Sequence, residues 1–112
     1  MSKNKVLPIL LSLIDSSTFT GAYQAINPTG LPNACFEILI INDSNRDIGI
    51  SFDGTTDHLF LPENQRLEFN FQTNAQPQNN TAQLALGTVV YVKGNAAGTG
   101  FVALSGWYQP NN

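Results

Sequence analysis

Hydrophobic and polar residues alternate along most of this chain. Phe36, Ile38 and Ile40 fall on one face of the run "FEILII", and Leu39 and Ile41 on the other. In "DIGISFD", Ile48, Ile50 and Phe52 point one way, while Gly49, Ser51 and Asp53 point the other. In "RLEFNF", Leu67, Phe69 and Phe71 alternate with Glu68 and Asn70. A period of two marks strands with one wet face. "TVVYVKG" and "GFVALSGWYQ" add strands rich in β-branched and aromatic residues, and "STFTGAY" reads as an early one. No stretch after residue 16 has a helical period.

Turn signals separate these runs. "NDSNRD" (42–47) carries Asx and Ser side chains that bond their own backbone. Asp53-Gly54 is a hairpin signal, "LPENQ" places Pro62 at a turn, and "GNAAGTG" (94–100) joins the last two strong strands. Short strands at near-regular spacing predict a single-domain antiparallel β-sandwich, jelly-roll or Ig-like, over residues 17–112. Its expected core is Phe36, Ile38, Ile40, Ile50, Phe52, Leu67, Phe69, Val90 and Val92. Residues 1–16 are set apart as an N-terminal apolar arm or first strand. Val6 to Ile14 is more apolar than a small sandwich needs, and Pro8 suits an edge rather than a central strand. Lys3 and Lys5 ahead of this run resemble a secretory leader, but Pro8, Asp15 and the lack of a small-x-small site argue against one. The run is too short to span a bilayer. "AINPTGLPNA" (25–34) is expected to be a structured loop. "QTNAQPQNNTAQ" (72–83) is either a solvated loop or an arm reaching a neighbouring subunit.

Composition narrows the function. The chain has 112 residues, 42% hydrophobic and only 12% charged, with a net charge of −3. Charged residues usually make up about a quarter of a chain. A polar but nearly uncharged surface suits a chain packed against neighbours. The acidic balance, with no Lys/Arg run, argues against direct nucleic acid binding. One cysteine, Cys35, allows no internal disulfide, and its apolar setting predicts a buried, inert thiol.

The densest chemistry lies in "SFDGTTDHLFLP", which holds Asp53, Asp57 and the single histidine, His58. A hard cation could be imagined on Asp53 and Asp57 with Asp43 or Asp47, but the spacing matches no calcium loop. No nucleophile elbow surrounds His58, and the glycines of "GNAAGTG" precede a strand rather than a helix. Residues 53–58 are therefore read as a hairpin connection. No catalytic, cofactor-binding or metal residue is assigned, no cofactor is expected, and the chain is expected not to be an enzyme. Among the aromatics, Tyr23, Tyr91, Trp107 and Tyr108 are core, interface anchors or sugar-stacking rings. Trp107 and Tyr108 point to opposite faces of a regular strand.

The succession "ILIINDSNRDIGISFDGTTDHLFLPENQRLEFNF", a polar insert, then "GTVVYVKGNAAGTGFVALSGWY" resembles small virion proteins of tailed bacteriophages. The shared features are an Asn-containing turn, an I-x-I-S-x-D-G strand and loop, a P-x-N/G turn, a G-T-x-V-Y-V-K-G strand and a G-T-G turn. They cover residues 36–108. The resemblance implies a structural component of the virion, of the auxiliary capsid or head–tail collar type. It implies packing against other virion proteins (capsid, portal or tail subunits) as a homo-oligomer, with no membrane partner. The alternative is a carbohydrate-binding or host-attachment module of a virion fibre.

Overall fold

The structure, a computed structural model, describes residues 7–70 and 84–108. Its strands are β1 (Leu7–Pro8), β2 (Ser12–Asp15), β3 (Gln24–Ala25), β4 (Glu37–Ser44), β5 (Ile48–Ser51), β6 (Leu59–Leu61), β7 (Gln65–Asn70), β8 (Tyr91–Gly94) and β9 (Gly100–Tyr108). They form two antiparallel sheets. Sheet A has the order β1-β9-β4-β7, with β2 also on β9, and sheet B the order β3-β8-β5-β6.

The pairings are nested: β5 with β6, β4 with β7, β3 with β8, β2 with β9. This is one long hairpin closed at residues 52–58 and folded over itself. Pairing of β4 with β9 and of β5 with β8 seals the roll. That connectivity is a jelly roll, and it separates the two expected sandwich types. The wrapping places β4 and β9, the longest strands, at the centre of sheet A.

The core forms where the inward faces meet. Ile38 and Ile40 of β4, Ile48 and Ile50 of β5, Val92 of β8, and Val102 and Leu104 of β9 are fully buried or nearly so. Each such side chain contributes roughly 1.5–3 kcal/mol by burial. Of the expected core, Phe36, Ile38, Ile40, Ile50, Val90 and Val92 are buried. Phe52, Leu67 and Phe69 are half-buried and pack on the core from the β6–β7 side, where both sheets end. Phe71 and residues 72–83 lie outside the described residues, so the expected arm or loop there has no structural account.

Two expected elements differ. "STFTGAY" is not a strand. Ser16–Thr18 is a single 3-10 turn, because short polar side chains bond the backbone locally. Asp15 Oδ1 accepts from Ser17 N at 2.9 Å, Thr18 Oγ1 donates to Asp15 O at 2.7 Å, and buried Ser16 Oγ donates to Gly100 O at 2.9 Å. Pairing begins only at Gln24, and Asn27 then extends it with its side chain, accepting from Val90 N at 2.7 Å. The expected turn at 42–47 is also shorter. β4 runs on through Asn42 and Ser44, which face inward and are buried. Both bond Arg46 across the turn as expected, Ser44 Oγ accepting from Arg46 N at 3.3 Å, and Asn42 also reaches carbonyls at the end of the sandwich.

Candidate interaction surfaces

Strand alternation fixes what each sheet shows to the outside. In β9, Val102 and Leu104 point inward, so Phe101, Ala103, Ser105 and Trp107 point outward. In β4, Leu39, Ile41 and Asp43 point outward. Register aligns these residues across sheet A. Leu13, Ala103, Ile41 and Arg66 form one row; Ser105, Leu39 and Glu68 the next; Pro8, Trp107, Glu37 and Asn70 a third. Asp15, Phe101 and Asp43 close the far end. The middle of the face is apolar. Its charges, Asp15, Asp43, Arg66, Glu68 and Glu37, sit around the border. Glu37 lies diagonally across from Glu68, and a hydrogen bond to that carboxyl is the main reason its own carboxyl titrates above the ordinary glutamate range. Trp107 is exposed on this face while Tyr108 packs on the core, so the expected opposition of the two rings holds.

The edge of this sheet is irregular. Ile9 N donates to Gly106 O at 3.0 Å, continuing the register of β1, and Ser12 stands opposite Leu104. Leu10 and Leu11 therefore face Ser105 alone. An extra residue on one strand is a β-bulge, and it redirects side chains. Here it turns both leucines toward solvent.

Sheet B presents different chemistry. Tyr23, Lys93, Gly49 and Phe60 follow one another across its outer face. The Tyr23 side chain lies toward Gly49, where a Cβ would stand 3.1 Å from the phenol oxygen. The Tyr23 hydroxyl donates to Asp57 Oδ1, and Lys93 Nζ reaches the same oxygen at 3.2 Å. Lys93 also sits 4.7 Å from the centre of the Tyr23 ring. Burial first, then the Asp57 hydrogen bond and charge, push the phenol up to about 12. Asp57 is correspondingly held below the usual carboxylate range, by the Tyr23 hydrogen bond first and Lys93 second. The three side chains tie β3, β8 and the 52–58 loop together. An ion pair this exposed contributes little by itself.

The loop itself is organised by Asp53. Its Oδ1 accepts from Thr55 N at 2.8 Å, Thr56 N at 2.7 Å and Ser51 Oγ at 2.8 Å, and its Oδ2 accepts from Thr56 Oγ1 at 2.7 Å. These bonds, the backbone ones foremost, hold its carboxyl far below the usual range. His58 Nδ1 accepts from Phe52 N at 3.1 Å, and the His58 backbone N–H donates to Ile50 O at 3.0 Å. Asp53 and His58 Nδ1 are thus engaged in closing the hairpin. Asp43 lies on the outer face of sheet A, and Asp47 accepts from Glu63 N at 3.0 Å, so neither joins Asp53. Among the described residues no three His, Cys, Asp or Glu side chains gather in metal-holding geometry. Cys35 is fully buried, and burial pushes its thiol up. No helix among the described residues is long and apolar enough to cross a membrane.

No family model matches the sequence, and no curated protein is similar to it. Solved structures that resemble it at low identity include two of known description. The Dit (gp 19.1) protein of SPP1, described as a paradigm of the hub adsorption apparatus in phages infecting Gram-positive hosts, is 14% identical, with a TM-score of 0.42 over 95% of this chain and 50% of that one. AlgX of Pseudomonas aeruginosa is 11% identical, with a TM-score of 0.46 over 94% of this chain and 27% of that one. The chain thus spans half or less of either protein, and at these scores neither likeness speaks to its role.

Proposed function

We propose that this chain is a non-enzymatic structural component of a tailed-phage virion that acts by packing against other virion proteins. The observation that carries the packing role is the outer face of sheet A. An antiparallel sheet with one face on the core ordinarily turns polar residues to water on the other. Here Leu13, Ala103, Ile41, Leu39, Phe101 and Trp107 occupy that other face, with the charges at its border. An apolar centre, aromatic anchors and a polar rim are the anatomy of a protein interface. The virion setting rests on the strand-and-turn resemblance of residues 36–108. Host attachment through sugars is less well supported. Tyr23 has its ring beside Lys93 and its hydroxyl committed to Asp57, which leaves Phe60 as the openly exposed ring of that row.

The test is a quantitative one. Virions of the phage encoding this chain are purified by density gradient and probed for the protein by mass spectrometry. Fixed stoichiometry in intact particles, lost when Ile41 is replaced by Glu in a chain that still folds, is expected. Protein confined to the lysate and absent from particles would refute the virion role. Full incorporation of Ile41→Glu would refute the face.

A further inference from the structure

The border of the sheet A face is unevenly charged. Among the described residues it carries the carboxylates of Asp15, Asp43, Glu37 and Glu68 against the single guanidinium of Arg66. Register sets the acids beside the exposed rings. Phe101 of β9 pairs with Asp15 of β2 on one side and with Asp43 of β4 on the other. Directly opposed side chains stand about 4.5–5.5 Å apart at Cβ, so this ring lies between two carboxylates. Phe101 is 43% exposed, and both aspartates are exposed. Asp15 stays ionised, because the Ser17 amide that it caps holds its carboxyl below the usual range. At the other end of β9, exposed Trp107 pairs with Glu37.

The segments around Phe101 are all described: the 3-10 turn after Asp15, the β4–β5 turn after Asp43 and residues 95–99 ahead of β9. The stretches outside the described residues attach at Leu7, Asn70, Leu84 and Tyr108, at the Trp107 end of the sheet. That end lies six residues along β9, about 20 Å away. A ring between two carboxylates draws a cation twice. The ring face attracts positive charge, and the flanking oxygens accept its N–H groups. A guanidinium suits both contacts, being planar and weakly hydrated. A second copy of this chain fits the face poorly, because it brings the same acidic border with it.

From this we infer that the partner covering the sheet A face is a different protein chain, apolar at the centre of its contact surface and basic at the border. It seats an arginine on Phe101 between Asp15 and Asp43. The inference rests on the packing reading above and gives that partner its chemistry. Leu39 and Ile41 supply the buried contact, while the acidic border governs encounter and partner choice, as rim charges do.

The experiment complements a phage lacking this gene with variant chains at limiting expression. Occupancy in purified virions is measured by mass spectrometry after washes in low and in high salt. The double variant Asp15→Asn with Asp43→Asn removes both charges, keeps side-chain size and keeps the acceptor that caps Ser17. Its occupancy should fall roughly tenfold, and that of Asp43→Lys further. The salt-sensitive part of wild-type retention should vanish in the double variant. Phe101→Leu, which keeps carbon but no ring, should also lose occupancy. All three positions are exposed, so circular dichroism should stay unchanged. If the double variant is incorporated like wild type while Ile41→Glu is excluded, the inference fails and the packing face stands. If Ile41→Glu is incorporated too, the packing face itself fails. Higher occupancy of the double variant would overturn the inference by revealing an acidic partner. Self-association of the purified wild-type chain that Ile41→Glu abolishes would overturn it by putting a second copy on the face.

Discussion

Asn42 offers the sharpest check on how the sandwich is closed. It lies on β4 and is fully buried. Its side-chain amide donates to Arg46 O at 2.8 Å, Pro62 O at 3.1 Å and Leu61 O at 3.2 Å. Its carbonyl accepts from Ser44 Oγ at 2.6 Å. One side chain thus joins the β4–β5 turn to the β6–β7 turn across the end of the roll. Asn42→Ala removes all four contacts. A net hydrogen bond contributes about 0.5–1.5 kcal/mol, and a buried group left unpaired costs about 1–3 kcal/mol. Two of the contacts are fully buried and two are partly wet, so the expected loss is roughly 3 kcal/mol. For a domain of this size that lowers the melting temperature by about 15 °C. Urea unfolding should show a lower midpoint with an unchanged slope. Ser44→Ala should cost less, because the two N–H groups of the Asn42 amide keep their carbonyl partners. A loss under about 1 kcal/mol for Asn42→Ala would refute this account of the closed end.

Three further predictions follow from the same geometry. Gly100 opens β9 at φ +99, and a Cβ there would collide with the Asp43 carbonyl, so Gly100→Ala should cost at least about 2 kcal/mol by denaturant titration. Asp53→Ala should speed amide exchange at Thr55 and Thr56 and lower the melting temperature at neutral pH, a loss that fades on acidification; neither calcium nor EDTA should shift the melting temperature of wild type, and a calcium-dependent rise would show that Asp53 serves a cation. The pH dependence has two opposing parts. Asp53 and Asp57 titrate low in the fold, so their stabilisation is present above the unfolded carboxylate range and is lost as pH falls through their lowered values. Glu37 titrates high, so its contribution is present below the unfolded value and is lost as pH rises through the raised one. Glu37→Gln should therefore gain stability over wild type at neutral pH, and the gain should shrink on acidification; a gain that does not depend on pH would sink the Glu37–Glu68 contact.

What the sequence reveals depends on how locally each feature is determined. β4, β5 and β7 follow from alternation, because one face of each meets the core and a period of two is written in neighbouring residues. The hairpin at residues 53–58 was equally legible, since Asp53 bonds residues two and three positions away. Asn42 and Ser44 were legible as turn-bonding side chains but not as strand residues, because the side chains that favour turns are also those that satisfy a buried carbonyl. The bulge was invisible. "ILLSLI" reads as a buried run, and only the one-residue slip against β9 shows that two of its leucines face water. The contacts of Asp57 with Tyr23 and Lys93 span 34 and 36 positions and exist only once β3 and β8 pair. The jelly-roll order itself is a matter of which strands pair at long range, which alternation does not encode.

The two outer faces make the packing argument directional. On sheet B the polar groups are already matched: the Tyr23 hydroxyl and Lys93 meet at Asp57, and Ser51 Oγ donates to Asp53 and accepts from the Asp53 and Gly54 amides. Covering that face would strip water from a charged carboxylate and an ammonium for little gain. On sheet A the middle row of the face is apolar from Leu13 to Ile41 and reaches a charge only at Arg66. Covering it desolvates few ions, and the border charges can stay wet or pair across a rim. The same composition that gives the chain so few charges therefore places them unevenly, one sheet keeping a matched polar cluster and the other surrendering its centre to carbon.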